Sequence, residues 1–390
     1  MSQAQAPPTS PGKRFVFWTI LVVWTLVLVE ATTAGYFLLE LSRTYYRPLY
    51  LEEPNDQWFW RTEHHDWGAW HKPSSAAHHT HHCFSVSYRS NSYGARDKER
   101  SIKAAAKRGL LLGDSFMEGY AVDEEKRLSN LLERRLGFEI LNFGMTHFGP
   151  LQYQILYEKL ARQFDHDLVI IGFLPNNDFI DNDLDFQRQR RDFARRYRPY
   201  YSRDGGVFYP RSRPDPGEPA LLVADKGRDL PERRPWSQNL RRLLWVYGLY
   251  LELRMNMAVL QDPTPADYIG YLESDAFRIS RATESILAIQ KAAAPRPVLV
   301  VFLPDYKSWS YIEDRPESYN ESVVPRLQAV LQNHGIKTIE LLKEFMKRGL
   351  KKESLYLPCD GHWNDAGHRA AFDVIHPVVR DLLGTPRPRR

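Results

Sequence analysis

Three short segments, far apart in the chain, hold residues that together could carry out acyl transfer through a serine ester. They are Gly113-Asp114-Ser115-Phe116, Asn176-Asn177-Asp178 and Asp360-Gly361-His362-Trp363-Asn364. A serine hydroxyl is a weak nucleophile until a neighbouring base removes its proton. His362 is the candidate base, and the same imidazole would return the proton to the leaving group. Asp360 would hold the ring in one tautomer and stabilise its charged form. At a spacing of two on an extended turn, the side chains of Asp360 and His362 project the same way. A developing oxyanion would be met by the Ser115 N–H, by a backbone N–H in the stretch from Gly144 to His147, and by the Asn177 side chain. Taken singly, Asp114 or Ser115 reads as a helix cap and His362 as a capping or packing residue. The three segments in this order favour the chemistry.

These residues need a scaffold that presents them on one edge. Leu110-Leu111-Leu112 is a short apolar run suited to a buried strand. Gly113 permits a sharp turn after it, and Leu128, Leu131, Leu132 and Leu136 then recur at helical spacing. A serine on such a turn stands at the carboxyl edge of an open sheet, where ligands bind. Strands are predicted at 109–113, 139–143, 168–173, 297–303 and 338–341. Helices are predicted at 125–136, 151–163, 280–292, 325–334 and 366–383. The alternation implies an α/β fold, a three-layer α/β/α sandwich around a mostly parallel sheet.

With these motifs in place, the chain resembles the SGNH/GDSL hydrolases, from about Asn91 to Leu383. Gly113-Asp114-Ser115 matches their first block, Asn177-Asp178 a later one after the strand Leu168-Val169-Ile170-Ile171, and Asp360 with His362 the last, ahead of the final helix. The second block, Asn142-Phe143-Gly144-Met145-Thr146-His147-Phe148-Gly149-Pro150, departs from the pattern, because the family usually has glycine where His147 stands. The Asp/His spacing is two where three is common, as in the related alginate O-acetyltransferase group. Asn91-Ser92-Tyr93-Gly94-Ala95-Arg96-Asp97 also looks like a lead-in of membrane-attached bacterial members. The resemblance implies ester substrates, with O-acyl groups on surface glycans or lipids as targets, and a reaction that needs no metal or other cofactor.

Phe15 to Val29 is unbroken apolar or neutral sequence, and after Glu30 the run from Ala31 to Leu39 is again mostly apolar. About 20 such residues cross a bilayer. Lys13 and Arg14 precede the run and Arg43 and Arg47 follow it, so the charge bias is nearly balanced. A signal peptide cut near Ala34 is the rival to a retained anchor, and the apolar Tyr36-Phe37-Leu38-Leu39 argues for retention. Either way the catalytic part is expected outside the cytoplasm, periplasmic or extracellular. Glu30 reads as an intramembrane carboxylate or as one tolerated near the interface.

Of 390 residues, 43% are hydrophobic and 26% charged, an ordinary globular balance that leaves a sizeable core behind an anchor. A net charge of +5 is mild, and no nucleic-acid motif, P-loop or zinc-finger spacing is present, so no nucleic-acid partner is expected. Cys83 and Cys359 leave one disulfide to consider, which would tie the lead-in to the loop of Asp360.

The stretch from Tyr50 to Phe84 is dense in histidine (His64, His65, His71, His78, His79, His81, His82) and tryptophan (Trp58, Trp60, Trp67, Trp70). It lacks the spacing of a structural zinc site and is expected to be an aromatic loop packed on the domain, with no metal. Residues 181–280 form an insertion longer than an ordinary connection. It carries Arg188, Arg190, Arg191, Arg195, Arg196 and Arg198, then a Pro/Gly-rich loop, then a helical stretch expected over 236–260. Charges exclude that stretch as a span and suit an amphipathic helix against the domain or a membrane surface. The arginines could clamp an anion or form a solvated face.

The expected organisation is a tail at 1–14, an anchor at 15–39, a lead-in at 40–100, the hydrolase-like domain at 101–383 and a basic tail at 384–390. The function read from the sequence is a serine esterase. An O-acyltransferase with the same triad, and a non-catalytic scaffold, are the alternatives.

Overall fold

The computed structural model describes residues 10–39, 41, 48, 59–60, 62–81, 83–189, 197–209, 220–221, 240–241, 243–259 and 268–384. The expectations for 1–9, for Arg190, Arg191, Arg195 and Arg196, for most of the Pro/Gly-rich loop and for 385–390 lie outside these residues.

The strands in chain order are β1 (Thr62–His64), β2 (Gly68–Trp70), β3 (Ala76–His81), β4 (Phe84–Arg89), β5 (Arg108–Leu112), β6 (Glu139–Asn142), β7 (Leu168–Phe173), β8 (Tyr200–Tyr201), β9 (Val207–Phe208), β10 (Ala220–Leu221), β11 (Val298–Phe302) and β12 (Lys337–Glu340). The helices are α1 (Pro11–Leu38), α2 (Ser115–Glu118), α3 (Leu128–Leu136), α4 (Pro150–Lys159), α5 (Pro175–Asp181), α6 (Leu184–Arg188), α7 (Trp245–Val259), α8 (Ala276–Ala293), α9 (Tyr306–Asp314), α10 (Val323–Asn333), α11 (Leu341–Lys347), α12 (Lys352–Leu355) and α13 (Asp365–Leu383). They group into two compact units. One lies within 1–53 and 228–261, the other within 54–227 and 262–390. The helical part of the insertion therefore groups with the N-terminal helix, and the lead-in from Pro54 onward groups with the sheet.

In the larger unit, five strands form a sheet in the order β12-β11-β7-β5-β6, every neighbouring pair parallel. β5, β7 and β11 are buried along their whole length, which accounts for their continuous apolar sequences. By sequence the five strands run second, first, third, fourth, fifth across the sheet. Right-handed crossovers then put α3 on one face and α4, α8 and α10 on the other. α13 returns to pack on α3, and α4 packs on α8. The order reverses between β5 and β7, and a crevice opens at the carboxyl ends of strands at such a point.

Three expectations change. The helix over 125–136 is broken: Arg127 is extended (φ −73°, ψ 157°) between a turn at Glu124–Lys126 and α3. Its fully buried guanidinium reaches back to the Arg96 carbonyl and Asp97, which a continuous helix would not allow. The histidine- and tryptophan-rich stretch is not a loop. It forms the antiparallel pairs β1–β2 and β3–β4, and Trp67 and Trp70 join the main core. The helix expected over 236–260 narrows to α7, whose first two amides donate to the Glu30 carboxylate at 2.6 and 3.2 Å.

Cys83, in the turn between β3 and β4, is disulfide-bonded to Cys359, with Cα atoms 6.0 Å apart. The lead-in hairpin is thereby fixed to the loop that carries Asp360.

Candidate active site

Gly113 leaves β5 at φ +154°, and a Cβ there would lie 2.4 Å from Met117 Cγ. A Cβ at Gly172 in β7 would lie 2.3 Å from the same atom. The two glycines form the seat in which Met117 holds α2 on the sheet edge. Asp114 caps α2 by accepting the Phe116 N–H at 3.0 Å. Ser115 is the first residue of α2, so its N–H has no acceptor within the helix. Gly119, at φ +81°, ends α2 after a single turn.

His362 Nε2 lies 2.8 Å from Ser115 Oγ, although 247 residues separate them in sequence. Its Nδ1 lies 3.2 Å from Asp360 Oδ1, which also accepts the His362 backbone N–H at 3.0 Å. The Nδ1 contact is at ion-pair distance but off-line for a hydrogen bond. The loop is set from both sides. Leu357 N–H donates to the His362 carbonyl at 2.7 Å, and Gly361 turns at φ +78°. Asn364 caps α13 through the amides of Ala366 and Gly367. Ser115 is 4% exposed, whereas the His362 and Asp360 side chains are 24% and 21% exposed. Ser115 is thus recessed behind the more accessible His362. Phe116 and Tyr120 flank the imidazole, with ring centroids 5.0 and 4.6 Å from it.

Asn177 is in the first turn of α5, just after β7. Its Nδ2 points to Asp114 Oδ2 at 3.4 Å. Asp178 faces inward, accepting from Leu174 N–H at 2.9 Å and from the Tyr153 hydroxyl at 2.9 Å. Burial pushes the Asp114 carboxyl up to about 7, against the opposing pull of His362. Burial, with Asp114 and Asp181 nearby, also raises Asp178 well above the carboxylate range.

The loop after β6 differs from the sequence reading at one point. The Gly144 N–H donates to Asn142 Oδ1 at 2.8 Å, so that amide is turned to its own strand rather than to an oxyanion. Gly144 is needed for another reason: a Cβ would lie 2.4 Å from the Glu118 N. His147 is exposed and has φ +64°, the left-handed region that a glycine adopts without strain.

Two residues that sequence reasoning gave no role hold this loop. Glu118, fully buried in α2, accepts the Thr146 N–H at 2.7 Å and also the Thr146 hydroxyl. Its other oxygen faces His71 Nε2 at 3.0 Å, and His71 Nδ1 faces the Gly94 carbonyl at 3.0 Å. Both His71 nitrogens therefore face oxygens. Burial alone would raise the Glu118 carboxyl, but His71, Arg96 and Thr146 outweigh it and bring it down to about 2. The available signal was an acid as the fourth residue of α2, after Phe116 and Met117.

The remaining histidines have varied settings. His64 stacks on Trp67 with centroids 3.4 Å apart, His78 Nε2 lies 2.8 Å from Ser85 Oγ, and His79 packs on Trp60, Phe84 and Tyr120. Among the described residues, His64, His65 and Asp66 bring potential metal-ligand atoms within 4.8 Å of one another. His64 Nδ1 accepts the Asp66 N–H at 3.2 Å.

Neither a protein-family model nor a curated protein sequence matches the chain. Among solved structures, it is similar to a lipase/acylhydrolase from Enterococcus faecalis, at 13% identity over 73% of this chain and 99% of that one, with a TM-score of 0.39. It is also similar to a member of the lipolytic protein G-D-S-L family from Veillonella parvula, at 14% identity over 70% and 98%, TM-score 0.37. A carbohydrate acetylesterase family member from Sinorhizobium meliloti follows, at 13% identity over 71% and 99%, TM-score 0.34. Likeness at these values decides nothing about activity, which rests on the chain's own residues.

Proposed function

We propose that the protein is a serine esterase of SGNH/GDSL type, held at a membrane by α1 with its catalytic unit outside the cytoplasm, and acting on O-acyl esters of surface glycans or lipids. The observation that carries this reading is the 2.8 Å contact of Ser115 Oγ with His362 Nε2, backed by Asp360 at 3.2 Å, at the strand-order reversal of a parallel sheet. Ser115 Oγ attacks the ester carbonyl carbon while His362 Nε2 takes the hydroxyl proton. The C–O bond to the alcohol breaks, and His362 delivers that proton to the departing oxygen. Water, deprotonated by His362, then attacks the acyl carbon, the bond to Ser115 Oγ breaks, and His362 returns the proton to Oγ as the acid leaves. Asp360 stabilises the imidazolium in both halves. The oxyanion faces the Ser115 N–H, the Asn177 side chain and the His147 N–H, and Gly144 has no part in this set.

The test is turnover of an activated acetyl ester by the purified protein, followed as acetate release with and without a glycan acceptor. Acetate release alone supports the esterase. Acylation of the acceptor at the expense of acetate replaces it with acyl transfer by the same residues. No turnover of either kind overturns both.

Two expected results distinguish the donors. Asn177→Ala removes a side-chain donor and should lower kcat by roughly 10²–10³, with KM little changed. His147→Gly keeps the main-chain donor and relieves a left-handed residue, a strain of about 1–2 kcal/mol set against the extra freedom of an unfolded glycine. It should melt within a few degrees of wild type and keep most of its turnover on a small ester. Equal, large losses in both folded variants would give the His147 ring a direct role.

A further inference from the structure

The smaller unit contains a pairing that the esterase chemistry does not use. α1 is 28 residues long, about 42 Å at about 1.5 Å per residue, and exceeds the roughly 30 Å hydrocarbon thickness of a bilayer. Its apolar run is exposed from Phe15 to Val29. The last third, which begins at Glu30, is covered on one side by α7. Glu30 accepts the Trp245 and Val246 N–H groups, Tyr36 donates to Glu252 at 3.2 Å, and Phe37 stacks on Trp245 with centroids 6.0 Å apart. A carboxylate on the first amides of a helix satisfies donors that would otherwise be orphaned and complements the helix dipole.

α7 is two-faced. Trp245, Gly248 and Glu252, spaced three and four apart, are buried. Val246, Tyr250 and Leu253, also spaced four and three apart, are 36%, 52% and 55% exposed. Just before the helix, Leu240, Leu243 and Leu244 are exposed too, beside exposed Arg241. Such an apolar stripe is not left to water without a partner. At 15 residues, about 22 Å, α7 is too short to span, and its inner face is already occupied. Its outer stripe is continuous with a helix whose own apolar sides suit acyl chains.

The geometry points to α7 as a second membrane element. It lies in the lipid interface at the exit end of α1, with Val246, Tyr250 and Leu253 among acyl chains and Arg241 at the headgroups. This rests on the reading of α1 as a membrane anchor. The partner is the lipid bilayer, and the Glu30 contacts make α1 a retained part of the folded unit.

The test places a protease-recognition sequence between Leu51 and Pro54 in the full chain, reconstituted in vesicles of phosphatidylcholine and phosphatidylglycerol. After cleavage, sedimentation reports where the catalytic fragment goes. The wild-type fragment should stay with the vesicles, and Val246→Ser/Tyr250→Ser/Leu253→Ser should leave at least tenfold less of it bound. Unchanged ester turnover in detergent identifies the variants as folded. Release of the wild-type fragment overturns the lipid contact. So does retention that survives the triple change but is lost in Glu30→Ala, which would mean docking on α1 alone. An uncleaved chain that stays out of the vesicles overturns the anchor itself, and this outcome differs from the other two.

Discussion

Ser115→Ala should have no measurable ester turnover, a loss of roughly 10⁶ in kcat, because nothing else in the site can form the acyl intermediate. His362→Ala should fall nearly as far, since the proposed base, His362 Nε2, lies 2.8 Å from Ser115 Oγ. Both losses show directly with an organophosphonate applied to the membrane fraction. Wild type should label on Ser115, Ser115→Ala not at all, and His362→Ala at a steeply reduced rate. Similar labelling of wild type and Ser115→Ala would remove Ser115 as nucleophile and with it the esterase.

Glu118→Ala should lower stability by about 3–5 kcal/mol, measured as a shift in the denaturant midpoint, because it leaves His71 buried without its partner. It also frees the Thr146 N–H that Glu118 holds at 2.7 Å, one residue before His147. Whatever fraction folds should therefore turn over more slowly. Glu118→Gln keeps an acceptor for Thr146 and should be milder. The two proteins also separate by pH. The Glu118 carboxyl sits at about 2 against an ordinary 4.5, so its stabilisation is full above 4.5 and drains as pH falls toward 2. Glu118→Gln lacks that slope. A Glu118→Ala protein as stable as wild type would show that the pair contributes nothing net.

Much of this was legible in the chain because the site uses strand ends. The five parallel strands begin and end within one residue of their expected ranges, and the three central ones are apolar runs because strands buried on both faces need Leu, Ile and Val. Ser115 and Asn177 stand out because each closely follows such a run, and Asp360 with His362 because the pair stands just ahead of the final helical stretch. In the lead-in, alanine and histidine give β3 no strong strand signal, whereas Phe84, Val86 and Tyr88 alternate with polar residues along β4 as a half-buried strand does, a period-two signal in the sequence itself. Arg127 falls inside the expected helix because the leucines that follow it recur at helical spacing, and its buried bonds to Arg96 and Asp97 appear only when the chain is folded. His71 with Glu118, and Glu30 with Trp245, join residues 47 and 215 positions apart, and no local pattern encodes such a pairing.

The bond between Cys83 and Cys359 spans a sequence separation of 276 and closes the intervening chain into a loop. Ser115 lies inside that loop and His362 just beyond its closure, with the whole insertion between them. A protease that nicks the chain anywhere in 181–280 leaves the piece bearing Ser115 and the piece bearing His362 as one covalent species. The nicked enzyme runs as a single band on a denaturing gel until a reductant is added, and then as two. Its activity after nicking should depend on thiols in the buffer as well as on the cut.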